Sequence, residues 1–268
     1  MIRNLLYNCW APSHSNEWRL NVEKLCSYSA AFNARKLVLI KTGPGTTPVD
    51  EVQDAFRPLG DVEFALYPNV AELGEVSGFI ESLSMLESVR EDEATFYAHT
   101  KGTKYERIEL PNLTAIRRWR NRMYYECLHD PGKIEELLKD HACCGGFKQE
   151  GLAPPLPKSV AWHFAGTFWW VKHSSLFGQT SWRHIRKNFY GVEGYLGALF
   201  PSSEAAKLCS IPSDRRGGLY TVECEYLCRR CGKTFSDWPR LTGPKVKVCK
   251  HCFKREGELL RVIPDEFD

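Results

Sequence analysis

Four short apolar runs, separated by three amphipathic stretches, fill the first hundred residues and leave the chain few folds to choose from. The runs are residues 5–10, 36–40, 62–67 and 95–98. Between them, Trp18, Val22, Leu25, Cys26, Ser29 and Phe32 fall on one helical face, and Val49, Val52 and Phe56 mark a second. Leu73, Val76, Ile80, Leu83 and Glu87 trace a third, apolar but for its last position. Strict strand–helix alternation predicts an α/β fold: a Rossmann-type, mostly parallel sheet with helices on both faces. Parallel neighbours need a crossover, and the crossover helix covers a face. In such open sheets, ligands bind beyond the carboxyl ends of the strands, where strand order reverses.

The fourth run continues as Thr95-Phe96-Tyr97-Ala98-His99-Thr100-Lys101-Gly102. It starts as a buried strand and ends in polar chemistry, with a glycine that allows a sharp turn. His99 and Lys101 are placed to meet an anion, although a structural histidine and a solvated lysine would look the same. Neither G-x-x-x-x-G-K-[ST] nor G-x-G-x-x-G is present. The first strand instead leads into Tyr7-Asn8-Cys9-Trp10-Ala11-Pro12, so no Gly-rich cradle holds a nucleotide here.

Residues 113–128 read as a helix carrying Arg117, Arg118, Arg120 and Arg122 around Trp119. Most of these arginines suit a solvated face. Arg120 lies near the apolar stripe of Ile116, Met123 and Cys127, and an inward arginine needs an anionic partner. Cys143-Cys144 suits a small-residue core better than redox chemistry. Residues 149–159 are Pro-rich and read as a lid or binding loop. Residues 160–171 read as an aromatic strand interrupted at Gly166, where a ligand or another backbone approaches. Glu193 opens a helical stretch in apolar company, either as a helix-start charge or as a general base.

The tail carries Cys228-x-x-Cys231 and Cys249-x-x-Cys252, with 17 residues between the two pairs. That is the spacing of a four-thiolate zinc ribbon, and four filled positions make the zinc structural rather than catalytic. From Arg215 to Arg255 there are eleven Lys or Arg against three Asp or Glu, with Phe235 and Trp238 interleaved. This balance suits a nucleic-acid backbone, or a solvated cap on the main domain. The boundary is expected near residue 205, giving domains 1–205 and 206–268. No apolar run reaches the roughly 20 residues of a membrane span, and residues 1–10 are too short and polar for a signal peptide. A cytoplasmic protein is therefore expected, in the host cytoplasm if phage-encoded.

Together these stretches resemble a GT-A-type glycosyltransferase. More narrowly, they resemble a group of bacterial, viral and phage glycosyltransferase-like sequences. The resemblance rests on Tyr97-Ala98-His99-Thr100-Lys101-Gly102, then on His163-Phe164-Ala165-Gly166-Thr167-Phe168-Trp169-Trp170, then on Glu193. Pro68-Asn69 and Leu73-Gly74-Glu75 add to it, and it covers roughly residues 1 to 200. It implies a nucleotide-diphosphate sugar across the carboxyl edge of the sheet. Asn8, Trp10 and Pro12 would lie by the nucleoside, and Asn69, Glu75, His99, Lys101 and Arg120 would complete the donor site. His163, Gly166, Phe168 and Trp169 would receive the acceptor. Glu193 would serve as base, with His99 and Lys101 as its catalytic companions. GT-A enzymes usually place Asp-x-Asp at the end of the fourth strand to hold a divalent metal. Here that position reads His99-Thr100-Lys101. An ammonium can neutralise a leaving phosphate directly, so Mn²⁺ or Mg²⁺ at the diphosphate is left open, as is inversion or retention.

The expected activity is therefore transfer of a hexosyl or pentosyl unit from a nucleotide-sugar donor to a hydroxyl. The acceptor could be a hydroxymethylated or glycosylated base in phage DNA, given the basic tail. A polysaccharide or protein acceptor is the alternative within the class. Outside it stands a zinc-ribbon nucleic-acid-binding protein without transferase activity. A nuclease would want clustered carboxylates at strand ends, and the sequence offers none.

Overall fold

The alternation read from the sequence is present in a computed structural model, which describes residues 1–103, 110–150, 160–209, 224–228, 231, 233–237 and 257–262. The chain forms two units, Met1–Thr103 with Met123–Ser210, and Lys104–Arg122 with Ile211–Asp268.

In the first unit, β1 (Ile2–Trp10), α1 (Glu17–Cys26), β2 (Lys36–Thr42), α2 (Val49–Ala55), β3 (Glu63–Pro68), α3 (Phe79–Ser84) and β4 (Glu93–His99) follow in order. After α4 (Leu110–Leu128), which begins in the second unit, come α5 (Pro131–Asp140), β5 (Cys143–Gly146), β6 (Lys148–Glu150), β7 (Trp162–Phe164) and β8 (Trp169–Lys172). α6 (His173–Phe177), α7 (Tyr195–Leu199) and β9 (Ala205–Cys209) complete the unit. Seven strands form one sheet in the order β3-β2-β1-β4-β8-β5-β9. Six run the same way and β8 alone opposes its neighbours. β6 and β7 pair separately.

Strands β1, β2 and β4 are nearly continuous apolar runs because both of their faces are covered. Successive residues point to opposite faces, so each face gathers its own aromatic cluster. On one face, Tyr97 stacks on Trp169 with centroids 4.9 Å apart and meets Phe79 of α3 edge-on at 5.1 Å. On the other, Phe96 lies 5.3 Å from Trp170, and Phe56 at the end of α2 meets Tyr7 at 5.6 Å. Edge strand β3 is only half covered and exposes Leu66.

Three elements differ from the sequence reading. The third helix does not start at Leu73. A single 3₁₀ turn covers Gly74–Val76, and α3 begins after Gly78. Gly78 has φ 78°, and a Cβ there would sit 2.4 Å from the Tyr67 ring, so backbone and ring both require glycine. The aromatic stretch at 160–171 is two strands in different sheets, because Gly166 at φ 94° and Thr167 at φ 63° reverse the chain. β9, which apolar spacing does not predict, adds the last strand of the main sheet and runs to Cys209.

In the second unit, β10 (Cys224–Cys228), β11 (Thr234–Asp237) and β12 (Gly257–Val262) form an antiparallel sheet ordered β11-β10-β12. Arg118 and Arg120 of α4 are both buried, so the solvated face expected for most of these arginines does not extend to Arg118. Among the described residues, no helix is long and apolar enough to cross a membrane.

Candidate active site

β1 leads outward to β2 and β3, and the chain then returns to the far side of β1 to lay down β4. Strand order therefore reverses between β1 and β4. At the carboxyl end of that pair, Asn8 lies opposite His99. The geometry places the sequence-predicted residues of the fourth strand where an open α/β sheet binds ligands.

The chain leaving β4 is held firmly. Thr100 donates its amide to the Asn8 carbonyl at 3.1 Å, and its hydroxyl both accepts from the Trp10 amide and donates to the Trp10 carbonyl. Asn21, fully buried on α1, brackets the next residue. Its Oδ1 accepts from the Lys101 amide at 3.0 Å and its Nδ2 donates to the Lys101 carbonyl at 2.9 Å. Lys101 is thus presented by an inward-facing amide that sequence reasoning missed. The available signal was an asparagine between Trp18, Val22 and Leu25 on the apolar stripe.

Around His99 a chain of polar contacts forms. Glu75 Oε1 lies 3.1 Å from His99 Nδ1, and Tyr97 donates its hydroxyl to Glu75 Oε2 at 2.9 Å. His99 Nε2 donates to the Gly166 carbonyl at 3.1 Å. The Gly166 amide faces Glu193 Oε1 at 3.5 Å, and His163 Nε2 lies 4.0 Å from the same oxygen. Asn8 joins through its Nδ2, which donates to the Glu75 carbonyl at 3.1 Å. Asn8, Glu75, His99, His163, Gly166 and Glu193 are therefore one cluster, though 185 positions separate the first from the last in sequence.

Burial dominates the electrostatics here. It pushes the Glu75 carboxyl up to about 7, against the pull of Lys101, the Tyr97 hydrogen bond and Lys41, and with Glu193 adding to the rise. It lowers His163, against the Glu193 carboxylate. Lys41 of β2, also missed by sequence reasoning, is buried. Its Nζ donates to the Ser77 carbonyl, and burial lowers it to about 8, opposed by Glu75 and Glu81. The signal was a lysine directly following the apolar run of β2, where the chain has not yet left the sheet.

The loop bearing Glu193 packs on the turn bearing Glu75. A Cβ on Gly191 would sit 2.6 Å from Val76, and one on Gly74 would sit 3.0 Å from the Phe189 ring. Tight glycine contacts thus bring the two carboxylates to one place.

Of the other expected site residues, Phe168 lies edge-on to His99 with ring centroids 6.0 Å apart. Phe168 and Trp169 are fully buried, Trp169 in the aromatic stack on Tyr97 and Phe168 edge-on to Tyr124 at 4.8 Å. The cluster does not present their rings to a surface, whereas Phe189 is 44% exposed. Pro12 is buried and bridges to Thr46, Trp10 is half-buried, and exposed Asn69 follows β3 at the same carboxyl edge. Arg120 is buried in the second unit. Cys228 ends β10 and Cys231 follows it, while Cys249 and Cys252 lie outside the described residues, as do residues 151–159 of the expected lid, whose first two residues, Gln149 and Glu150, instead belong to strand β6. Among the described residues, no group of three or more His, Cys, Asp or Glu side chains is placed to hold a metal ion.

No family model matches the chain, and no curated protein matches it. Among solved structures, a crystal structure of 4-diphosphocytidyl-2C-methyl-D-erythritol synthase is similar with a TM-score of 0.37 and 11% identity, over 77% of this chain and 88% of that one.

Proposed function

We propose that the first unit is a glycosyltransferase that moves a sugar from a nucleotide-diphosphate donor to a hydroxyl acceptor. One observation carries the reading. At the reversal of strand order, a lysine whose backbone is held by Asn21 acts on the Glu75 carboxyl, and Glu75 belongs to a cluster with His99, His163 and Glu193. Transfer from a nucleotide sugar needs two things at once: positive charge for the diphosphate leaving group, and a base for the acceptor hydroxyl. Lys101 supplies the first. Glu193, 27% exposed, supplies the second, and His163 beside it can receive or return its proton. The half-exposed ring of Phe189 offers the acceptor a stacking face.

The tail reading is independent. We propose that Cys228, Cys231, Cys249 and Cys252 hold a structural Zn²⁺. Cys228 ends β10 and Cys231 lies between β10 and β11 in sequence, and Cys228 pairs with Gly257, five residues after Cys252. A zinc at that place would cross-link strand ends. The basic tail supports DNA as the acceptor-bearing polymer, ahead of a polysaccharide or protein.

A melting-temperature screen against nucleotide diphosphates and their sugars, with and without Mn²⁺, tests the donor site. A donor at 100 times its Kd should stabilise the protein by about 2.7 kcal/mol. Lys101→Ala should remove that shift while leaving the ligand-free melting temperature unchanged. Stabilisation by no nucleotide would sink the transferase reading.

A further inference from the structure

His99 uses both of its ring nitrogens inside the protein. A carbonyl oxygen only accepts, so the 3.1 Å contact with Gly166 puts a proton on Nε2. The second contact, Nδ1 to Glu75 Oε1 at 3.1 Å, then needs a proton of its own on one of the two atoms, because two lone pairs at that distance repel. The pair therefore shares one proton, held as a neutral acid facing an imidazole or as a carboxylate facing an imidazolium.

On the other side of the ring is a strained turn. Gly166 at φ 94° and Thr167 at φ 63° are both left-handed, and a β-branched residue adopts that conformation only under external restraint. The His99 hydrogen bond to the Gly166 carbonyl is one such restraint. The same turn directs the Gly166 amide toward Glu193.

We propose that Glu75 is a positioning residue that acts through His99: by sharing a proton with the ring it keeps the imidazole aimed at the Gly166 carbonyl, and so holds the turn that faces Glu193. Loss of that proton to solvent leaves carboxylate facing lone pair, the ring turns away, and the turn loosens. The charged and titratable groups around Glu75 are Tyr97 from β4, Lys101 after it, Lys41 from β2 and Glu193 from the loop before α7. Burial keeps the Glu75 proton bound up to about pH 7, so the switch falls near neutrality. The purpose assigned to the turn rests on the transferase reading; the coupling itself does not.

The test needs no donor. In full-length protein labelled with ¹⁵N, the His99 ring nitrogens and the Gly166 amide are followed from pH 5.5 to 9, with His99 assigned by its loss in His99→Asn. The wild type should show both moving together in one transition near pH 7. Glu75→Gln donates permanently from its amide to Nδ1 while still accepting from Tyr97, so its Gly166 transition should vanish with Nε2 still protonated. Glu193→Gln should leave the transition in place. A Gly166 transition that survives in Glu75→Gln, or that depends on Glu193 instead, overturns the proposal. So does a wild-type Gly166 amide that does not follow the His99 ring, and that outcome is decisive even if a variant fails to fold. Failure of every donor in the melting screen leaves this result untouched, so the two readings fall separately.

Discussion

His173 shows how one side chain sets a condition on the whole first unit. It is fully buried beneath the amino end of β4, with Nε2 2.7 Å from the Thr95 hydroxyl and Nδ1 2.9 Å from the Ser88 hydroxyl. Glu93 lies 3.5 Å away and accepts from Ser88 and Asn4. Burial lowers His173 to about 4, only partly opposed by Glu93. The unfolded chain therefore binds a proton that the folded one refuses between about pH 6.5 and pH 4. Stability should be full above that window and fall by about 3 kcal/mol on descending through it. His173→Gln should flatten this part of a urea-unfolding series taken from pH 7 to pH 4.5. Below that, Glu93 adds a loss of the same sign, because its hydrogen bonds favour the carboxylate. Glu75 works in the opposite direction. Its folded form holds a proton that the unfolded chain has already released, so its contribution is full below about pH 4.5 and is lost as pH rises through about 7.

At the scale of elements, what was legible in the sequence is what depends on period. The first four strands and two of the first three helices can be read from apolar spacing, because burial on both faces writes a continuous run and burial on one face writes a stripe. The third helix misleads because its apolar spacing continues across Gly78, whose positive φ stops the helix without changing the pattern. The site was legible in part for a similar reason. His99 and Lys101 announce themselves by ending an apolar strand. The contacts of His99 with Glu75 and Gly166, and the pull of Lys101 on Glu75, are set by packing between distant segments, which no local spacing encodes. Glycine contacts of this kind can be measured. Gly45 and Gly78 have nearly equal φ, 74° and 78°, but a Cβ on Gly45 would meet nothing within 4 Å. Gly45→Ala should cost about 1–2 kcal/mol for the backbone alone. Gly78→Ala should cost clearly more in denaturant unfolding, because the Tyr67 ring must also move. Equal costs would mean that the ring gives way freely.

At the scale of the molecule, the two units should answer differently to metal removal. If zinc joins the cysteines of the tail, its binding free energy is folding free energy for the second unit. A strong chelator should then abolish protection of β10–β12 amides from hydrogen exchange while β1, β2 and β4 stay protected. Protection unchanged in both units would remove the metal from the account.

The sheet order also bears on how the protein is made. β4 is covered on its outer side by β8, whose first paired residue, Trp169, comes 70 positions after His99. Translation at about 5–20 residues per second leaves a gap of several seconds between the two. During that gap the nascent chain already holds four strands able to pair in parallel, and β4, with its buried aromatic run, is an open edge ready to recruit another chain. A fragment stopping at Thr103 would carry that edge permanently. It should be recovered from expression as aggregate, while a fragment reaching Ser210 closes the edge with its own β8 and stays in solution.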